Sequence, residues 1–178
     1  MRIVAGIYRG RKFNPPSFFK DRPTTDFAKE SLFNLLNNEI DLEGKKALDV
    51  FSGTGSISFE FMSRGCSAIT SVDINGRYLE YIKKTAGILN PDKKIVFTIK
   101  SDIFRFLPNY KLDYDIIFAD PPYDLDGIDK LPDLIFSNQS LKKDALVVIE
   151  HSALTDYSNH SHFRNLRKYG RVNFSFFR

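Results

Sequence analysis

Along the middle of the chain, two patterns of apolar residues take turns. Short runs rich in β-branched and aromatic side chains, at residues 46–51, 68–72, 95–99, 116–119 and 145–149, have the length and composition of buried strands. Between them, residues 56–64 and 76–89 carry helical spacing, the second with Tyr78, Ile82 and Leu89 among its apolar positions, and shorter helices are expected around 103–107 and 128–137. Strands that alternate with helices predict an open, mostly parallel sheet covered on both faces, an α/β Rossmann-like architecture. Toward the end, residues 163–168 and 172–177 flank Tyr169-Gly170 and read as a hairpin, which places antiparallel pairing at one sheet edge.

The first forty residues do not follow this rhythm. Residues 2–13 read as two short strands around a glycine-rich turn, with too few apolar positions to stand alone, so they must lean on the main domain or on a ligand. Pro15, Pro16 and Pro23 make an irregular linker. Thr25 suits the N-cap of a helix that starts at Asp26, with Ala28, Leu32, Leu35 and Leu36 on one face covering an end of the core. The expected organisation is a hairpin and helix over 1–38 appended to a larger domain over 39–178.

The predicted strands share a feature at their ends. The first leads into Asp49-Val50-Phe51-Ser52-Gly53-Thr54-Gly55, where glycines allow close backbone approach to a ligand. Position 58 is Ser, so the third glycine of a dinucleotide fingerprint is missing, and the leading acid suits a cation better than a pyrophosphate. Asp73 ends the second strand 20 positions after Gly53, the spacing at which a carboxylate takes a ribose hydroxyl pair. Asp102 follows the third strand and suits an adenine amino group.

The fourth strand ends in Asp120-Pro121-Pro122-Tyr123. Two prolines stop the strand and leave carbonyls facing outward. A carboxylate, a rigid carbonyl and an aromatic ring then lie together, a set that suits alkylation of an exocyclic nucleobase amine. Such an amine is a poor nucleophile until acceptors hold its two N–H bonds and aim its lone pair. Asp120 and the Pro121 carbonyl are the candidate acceptors, and Tyr123 the platform for a base drawn out of its helix.

Composition narrows the setting. With 178 residues, 42% of them hydrophobic and 17 Phe, the chain can fill one core. A single Cys excludes an internal disulfide or a cysteine-based zinc site, the three His lack ligand spacing, and no metal is expected. No apolar run approaches the roughly 20 residues that span a bilayer, which makes a cytoplasmic protein the expectation. The net charge of +4 divides unevenly: residues 1–22 carry +5, residues 164–178 carry +5, and the remainder carries −6. Basic ends on an acidic body suit a polyanion held at the ends.

The stretches 49–55 and 120–123 together resemble class I S-adenosylmethionine-dependent amino-methyltransferases. Met1-Arg2-Ile3-Val4-Ala5-Gly6, Arg9-Gly10-Arg11, Arg22-Pro23-Thr24-Thr25-Asp26, Lys29 through Asn34, Val148 through Ser152 and Lys168 through Arg178 resemble one branch more closely, the RsmD family of bacterial 16S ribosomal RNA guanine-N2 methyltransferases. The likeness covers nearly the whole chain. It implies a seven-stranded sheet with an antiparallel last strand, S-adenosylmethionine as donor, and ribosomal RNA of an assembling or assembled small subunit as partner. It also implies that Asp49, Gly53 and Gly55 embrace the methionine end of the donor, Asp73 the ribose and Asp102 the adenine, with the neighbouring Phe51, Ile74 and Ile103 completing that set. Arg2, Arg9, Arg11, Lys12, Arg22 and Lys29 form the expected RNA-contacting group, on a chain expected to act as a monomer. Many relatives carry a basic residue where Phe27 stands. Two other readings stay open: an adenine-N6 methyltransferase on RNA or DNA, since the four-residue motif serves both bases, and a non-catalytic RNA-binding assembly protein that keeps the fold.

Overall fold

The computed structural model describes residues 1–19, 25–170 and 172–178. Seven strands form one sheet: β1 (Lys46–Val50), β2 (Ala68–Asp73), β3 (Val96–Lys100), β4 (Ile116–Ala119), β5 (Leu146–His151), β6 (Phe163–Tyr169) and β7 (Val172–Phe177). The helices are α1 (Asp26–Glu39), α2 (Ser56–Ser63), α3 (Gly76–Leu89), α4 (Ile103–Asn109) and α5 (Leu131–Phe136), the last preceded by a 3-10 turn at Ile128–Lys130. The strand order is β3-β2-β1-β4-β5-β7-β6. β1 to β5 run parallel, and β7 alone runs against its neighbours, pairing antiparallel with both β5 and β6. This is the mostly parallel α/β sheet expected from the sequence, with strand ends displaced by a residue or two.

Period-two alternation divides the buried side chains between two layers. Ala47, Ile116, Phe118 and Val148 face one cluster, formed with Leu32, Phe33 and Leu36 of α1, Phe61 of α2 and Ile82 of α3. Leu48, Val50, Ile117, Ala119 and Ile149 face the other, formed with Phe106 and Leu107 of α4 and Leu131 and Ile135 of α5. Strands buried on both faces read as continuous apolar runs, which is why they stand out in the sequence.

Thr25 caps α1 as expected, its hydroxyl accepting from the Ala28 amide at 3.1 Å. Residues 2–13 fold back on themselves as a short hairpin, with one antiparallel bridge from Arg2 to Lys12 flanked by Ile3 N to the Arg11 carbonyl and Phe13 N to the Met1 carbonyl, both at 3.0 Å. The segment also docks on α2. Val4 N donates to Glu60 Oε1 at 2.7 Å, Ile7 N to the Ser63 carbonyl at 2.8 Å and Tyr8 N to Ser63 Oγ at 3.0 Å. Ile3 is buried in the same cluster as α1 and α2, so the N-terminal segment shares the core of the sheet.

Candidate active site

The parallel strands deliver their carboxyl ends to one edge of the sheet, and the loop after β1 begins there. Phe51 adopts φ 60°, the one left-handed non-glycine residue among those described, a conformation that costs about 1–3 kcal/mol and concentrates at functional sites. The turn is held by Ser52 N to the Val72 carbonyl at 3.1 Å and by Gly53 N to Asp73 Oδ2 at 2.9 Å. A Cβ on Gly53 would meet only the Phe51 carbonyl, at 3.9 Å, so its outer face is open to a ligand. Gly55 is a different case. A Cβ there would lie 2.6 Å from Ile82 Cγ1, so this glycine is required by the packing of α2 on α3, and the ligand approach expected of it is not what demands it.

Asp49 leaves β1 on the α2 face and is 2% exposed. Ser58 Oγ donates to its Oδ2 at 2.5 Å, and the Ser58 and Ser71 hydroxyls lie 2.7 Å apart. The residue that breaks the dinucleotide fingerprint is therefore the partner of the buried acid. Burial, with Asp120 and Asp73 adding repulsion, pushes the Asp49 carboxyl up to about 7.

Asp73 also accepts from the Asn75 amide at 2.8 Å, so it organises the turn on both sides. Ile74 beside it is exposed and available to a flat ring. Asp102 caps α4, accepting from the Arg105 amide at 3.1 Å. Ile103, the next residue, is buried among the α4 and α5 side chains, where its side chain packs the core.

The β4 and β5 registers bring the remaining groups together. Ala119 pairs with Ile149, so the next residues, Asp120 just past β4 and Glu150 within β5, lie side by side on the same face, at the strand spacing of about 4.8 Å. That face also holds Asp49, two positions before Asp120 in register, because Asp49 pairs with Phe118. Pro121 is buried, while Tyr123 projects outward at 50% exposure with its hydroxyl donating to Glu150 Oε1 at 3.2 Å. Burial, then the negative charge of Asp120, pushes the Glu150 carboxyl up to about 8. Burial and the same two acids push the Tyr123 phenol up to about 12. Glu150 has no place in the site expected from sequence, and a lone acid in an apolar strand, Val147-Val148-Ile149-Glu150, is the signal that points to it.

A sulfonium or ammonium group fits this arrangement on physical grounds. Asp49 is a buried acid whose neighbours resist its ionisation, and a cation placed among them offsets that repulsion. The open face of Gly53 borders the same loop. Among the described residues no cluster suits a metal ion.

The basic residues divide. Arg2, Arg9, Arg11 and Lys12 are exposed, and Arg2 pairs with Asp26 at 3.1 Å. Met1 Sδ lies 3.5 Å from Thr54 Oγ1, so the base of the N-terminal segment sits beside the loop after β1, whereas Tyr8, next to Arg9, sits at the far end of α2. Lys29 is not a surface contact. It is 1% exposed, its Nζ bonded to the Arg2 carbonyl and lying 3.3 Å from Asp26 and 3.6 Å from the fully buried Glu60. A buried charge persists only when paired, and this one fastens the N-terminal segment to α2. Arg22 lies outside the described residues. Phe27 is exposed at the start of α1.

A family model described as conserved hypothetical protein 95 matches residues 1–178. The ribosomal RNA small subunit methyltransferase D of Haemophilus influenzae is 32% identical over 152 residues, 84% of this chain and 78% of that protein. A solved structure of a proposed methyltransferase from Escherichia coli superposes with TM-score 0.83 at 25% identity, covering 99% of this chain and 96% of the other. A structure described as a candidate S-adenosylmethionine-dependent methyltransferase from Streptococcus mutans shares the fold, with TM-score 0.65 at 20% identity over 83% of this chain and 48% of that one.

Proposed function

The chain belongs to the conserved hypothetical protein 95 family, the RsmD family, and on that premise we propose that it transfers the methyl group of S-adenosylmethionine to the exocyclic N2 amine of a guanine in small-subunit ribosomal RNA. The observation that carries the reading is the juxtaposition, on one face of the sheet where the parallel strands end, of buried Asp49, Asp120 and Glu150, with the Tyr123 hydroxyl bonded to Glu150.

When bound, the donor supplies a methyl group already activated by the sulfonium. Asp49 and the Gly53 backbone hold its cationic end, Asp73 takes the ribose hydroxyls, and Asp102 with Ile74 borders the adenine. Asp120 and the Pro121 carbonyl accept the two amine hydrogens, which aims the nitrogen lone pair along the line of transfer. Asp120 also stabilises the positive charge that grows on that nitrogen, and Tyr123 stacks on the base. Arg2, Arg11 and Lys12 meet phosphates near the site, with Arg9 further along the N-terminal segment; Arg22 joins this group by its charge alone. In this reading residues 1–38 are the RNA-holding part and 39–178 the transferring part of a monomer that works in the cytoplasm on a small ribosomal subunit.

Nucleoside analysis of ribosomal RNA from a strain lacking the gene tests this. Small-subunit RNA should lose one N2-methylguanosine, restored by the wild-type chain and not by Asp120→Ala. Loss of an N6-methyladenosine instead would overturn the base assignment. Calorimetry with S-adenosylmethionine separates an enzyme from a binding module, which would show no donor uptake.

A further inference from the structure

Glu150 is 6% exposed at the edge of the sheet where Asp120 stands, one strand away. Its Oε1 takes the Tyr123 hydroxyl hydrogen, and its Oε2 is buried with no hydrogen-bond partner among the described residues. A buried polar atom left in that state destabilises the fold, and the same face of β5 one turn of the pleat earlier carries plain Val148. Fold stability gives no reason for an acid at this position. A flipped base is read on its Watson–Crick edge. On that edge guanine places a hydrogen on ring N1, next to the N2 amine, whereas adenine places a lone pair on N1, next to its N6 amine.

We infer that Glu150 sets base specificity: in its ionised form its carboxylate accepts the N1–H of guanine while Asp120 holds the adjacent amine, and adenine, which offers a lone pair at that point, is rejected. The inference rests on the reading of the chain as a nucleobase-amine methyltransferase. Tyr123 has two tasks in it, stacking through its ring and orienting the Glu150 carboxyl through its hydroxyl. A site built to bond one hydrogen discriminates against the base that lacks it by far more than shape alone does.

The test uses the full chain and small subunits from the deletion strain, carrying either guanine or adenine at the nucleotide that the wild-type enzyme modifies. Single-turnover methylation of both is measured for wild type, Glu150→Gln and Tyr123→Phe, with donor affinity by calorimetry. Wild type should prefer guanine by about 10³-fold or more. In Glu150→Gln the amide can turn to donate to adenine N1, so the preference falls at least about tenfold, with donor affinity within about threefold of wild type. Tyr123→Phe keeps the carboxyl and removes its hydrogen bond, so the preference falls about threefold or more, an independent reading if Glu150→Gln does not fold. An unchanged preference in the folded variants, equal slowing on both bases, or adenine turnover that stays undetectable in both variants overturns the inference while leaving guanine methylation intact. Should wild type methylate no guanine of the small subunit, the functional reading itself fails, a result distinct from the first.

Discussion

The two edges of the sheet hold acids in opposite electrostatic states. At the edge where the parallel strands begin, Asp113 lies 2.9 Å from Lys46 Nζ, and Asp115 accepts from Lys142 Nζ at 2.8 Å and from the Lys46 amide at 2.8 Å. The Lys46 hydrogen bond holds Asp113 below the usual carboxylate range. For Asp115, bonds from Lys142 and the Lys46 amide outweigh the upward push of burial, and it is lowered too. At the edge where the strands end, Asp49 and Glu150 are buried against other acids and are raised to about 7 and about 8. Packing and pairing at the first edge serve stability. At the second, burial and then repulsion among acids oppose ionisation, as expected where a charged partner has still to arrive.

The largest way to break this contrast is Asp120→Ala. Losing one preorganised electrostatic partner costs about 3–4 kcal/mol, so single-turnover transfer should slow about 10²–10³-fold or more while donor affinity survives. A rate within about threefold of wild type would remove Asp120 from the chemistry. Next comes the pH dependence of donor binding. An acid raised to about 7, as Asp49 is, is largely protonated at pH 6, and a cation favours its ionised form, so affinity should tighten as pH rises from 6 to 8, with proton release. Calorimetry in buffers of different ionisation heat reads that release, and Asp49→Asn should diminish it.

Stability gives a smaller effect. A carboxyl whose folded pKa is raised contributes stability that is fully present below its unfolded value near 3.8 and is lost as pH rises through about 7, so Tm should decline over that window. Asp49→Asn should flatten the decline, seen in melting curves at pH 5, 6, 7 and 8. The opposite edge behaves in the reverse sense: the lowered Asp115 loses its contribution as pH falls below its usual range. Smallest of all is Lys142→Ala. Its pair with Asp115 is partly exposed, so the change should cost no more than about 1 kcal/mol by denaturant titration and leave methyl transfer untouched.

Much of this molecule is legible in its sequence because the physics is local. Thr25 followed by a helix-forming run, apolar strands bounded by glycine and proline, and an acid at each strand end all read directly. What escapes local reading depends on partners far along the chain. Lys29 looks like a surface cation and is buried because Glu60, 31 positions on, lies in α2 beneath it. Gly55 looks like a ligand-facing glycine and is fixed by Ile82 on the next helix. The hydroxyl of Tyr123 looks dispensable beside its ring, yet it bonds Glu150 on the neighbouring strand.

The amino-acid sequence by itself determined the order of strands and helices, the division into an acidic body with basic ends, and the groups available at each strand end, because periodicity, turn chemistry and charge are properties of neighbouring residues. Only the tertiary structure decided which of those groups meet. Register places Glu150 beside Asp120, Ser58 beneath Asp49 and the N-terminal segment against α2, since a parallel sheet joins residues whose separation in the chain says nothing about their distance in space.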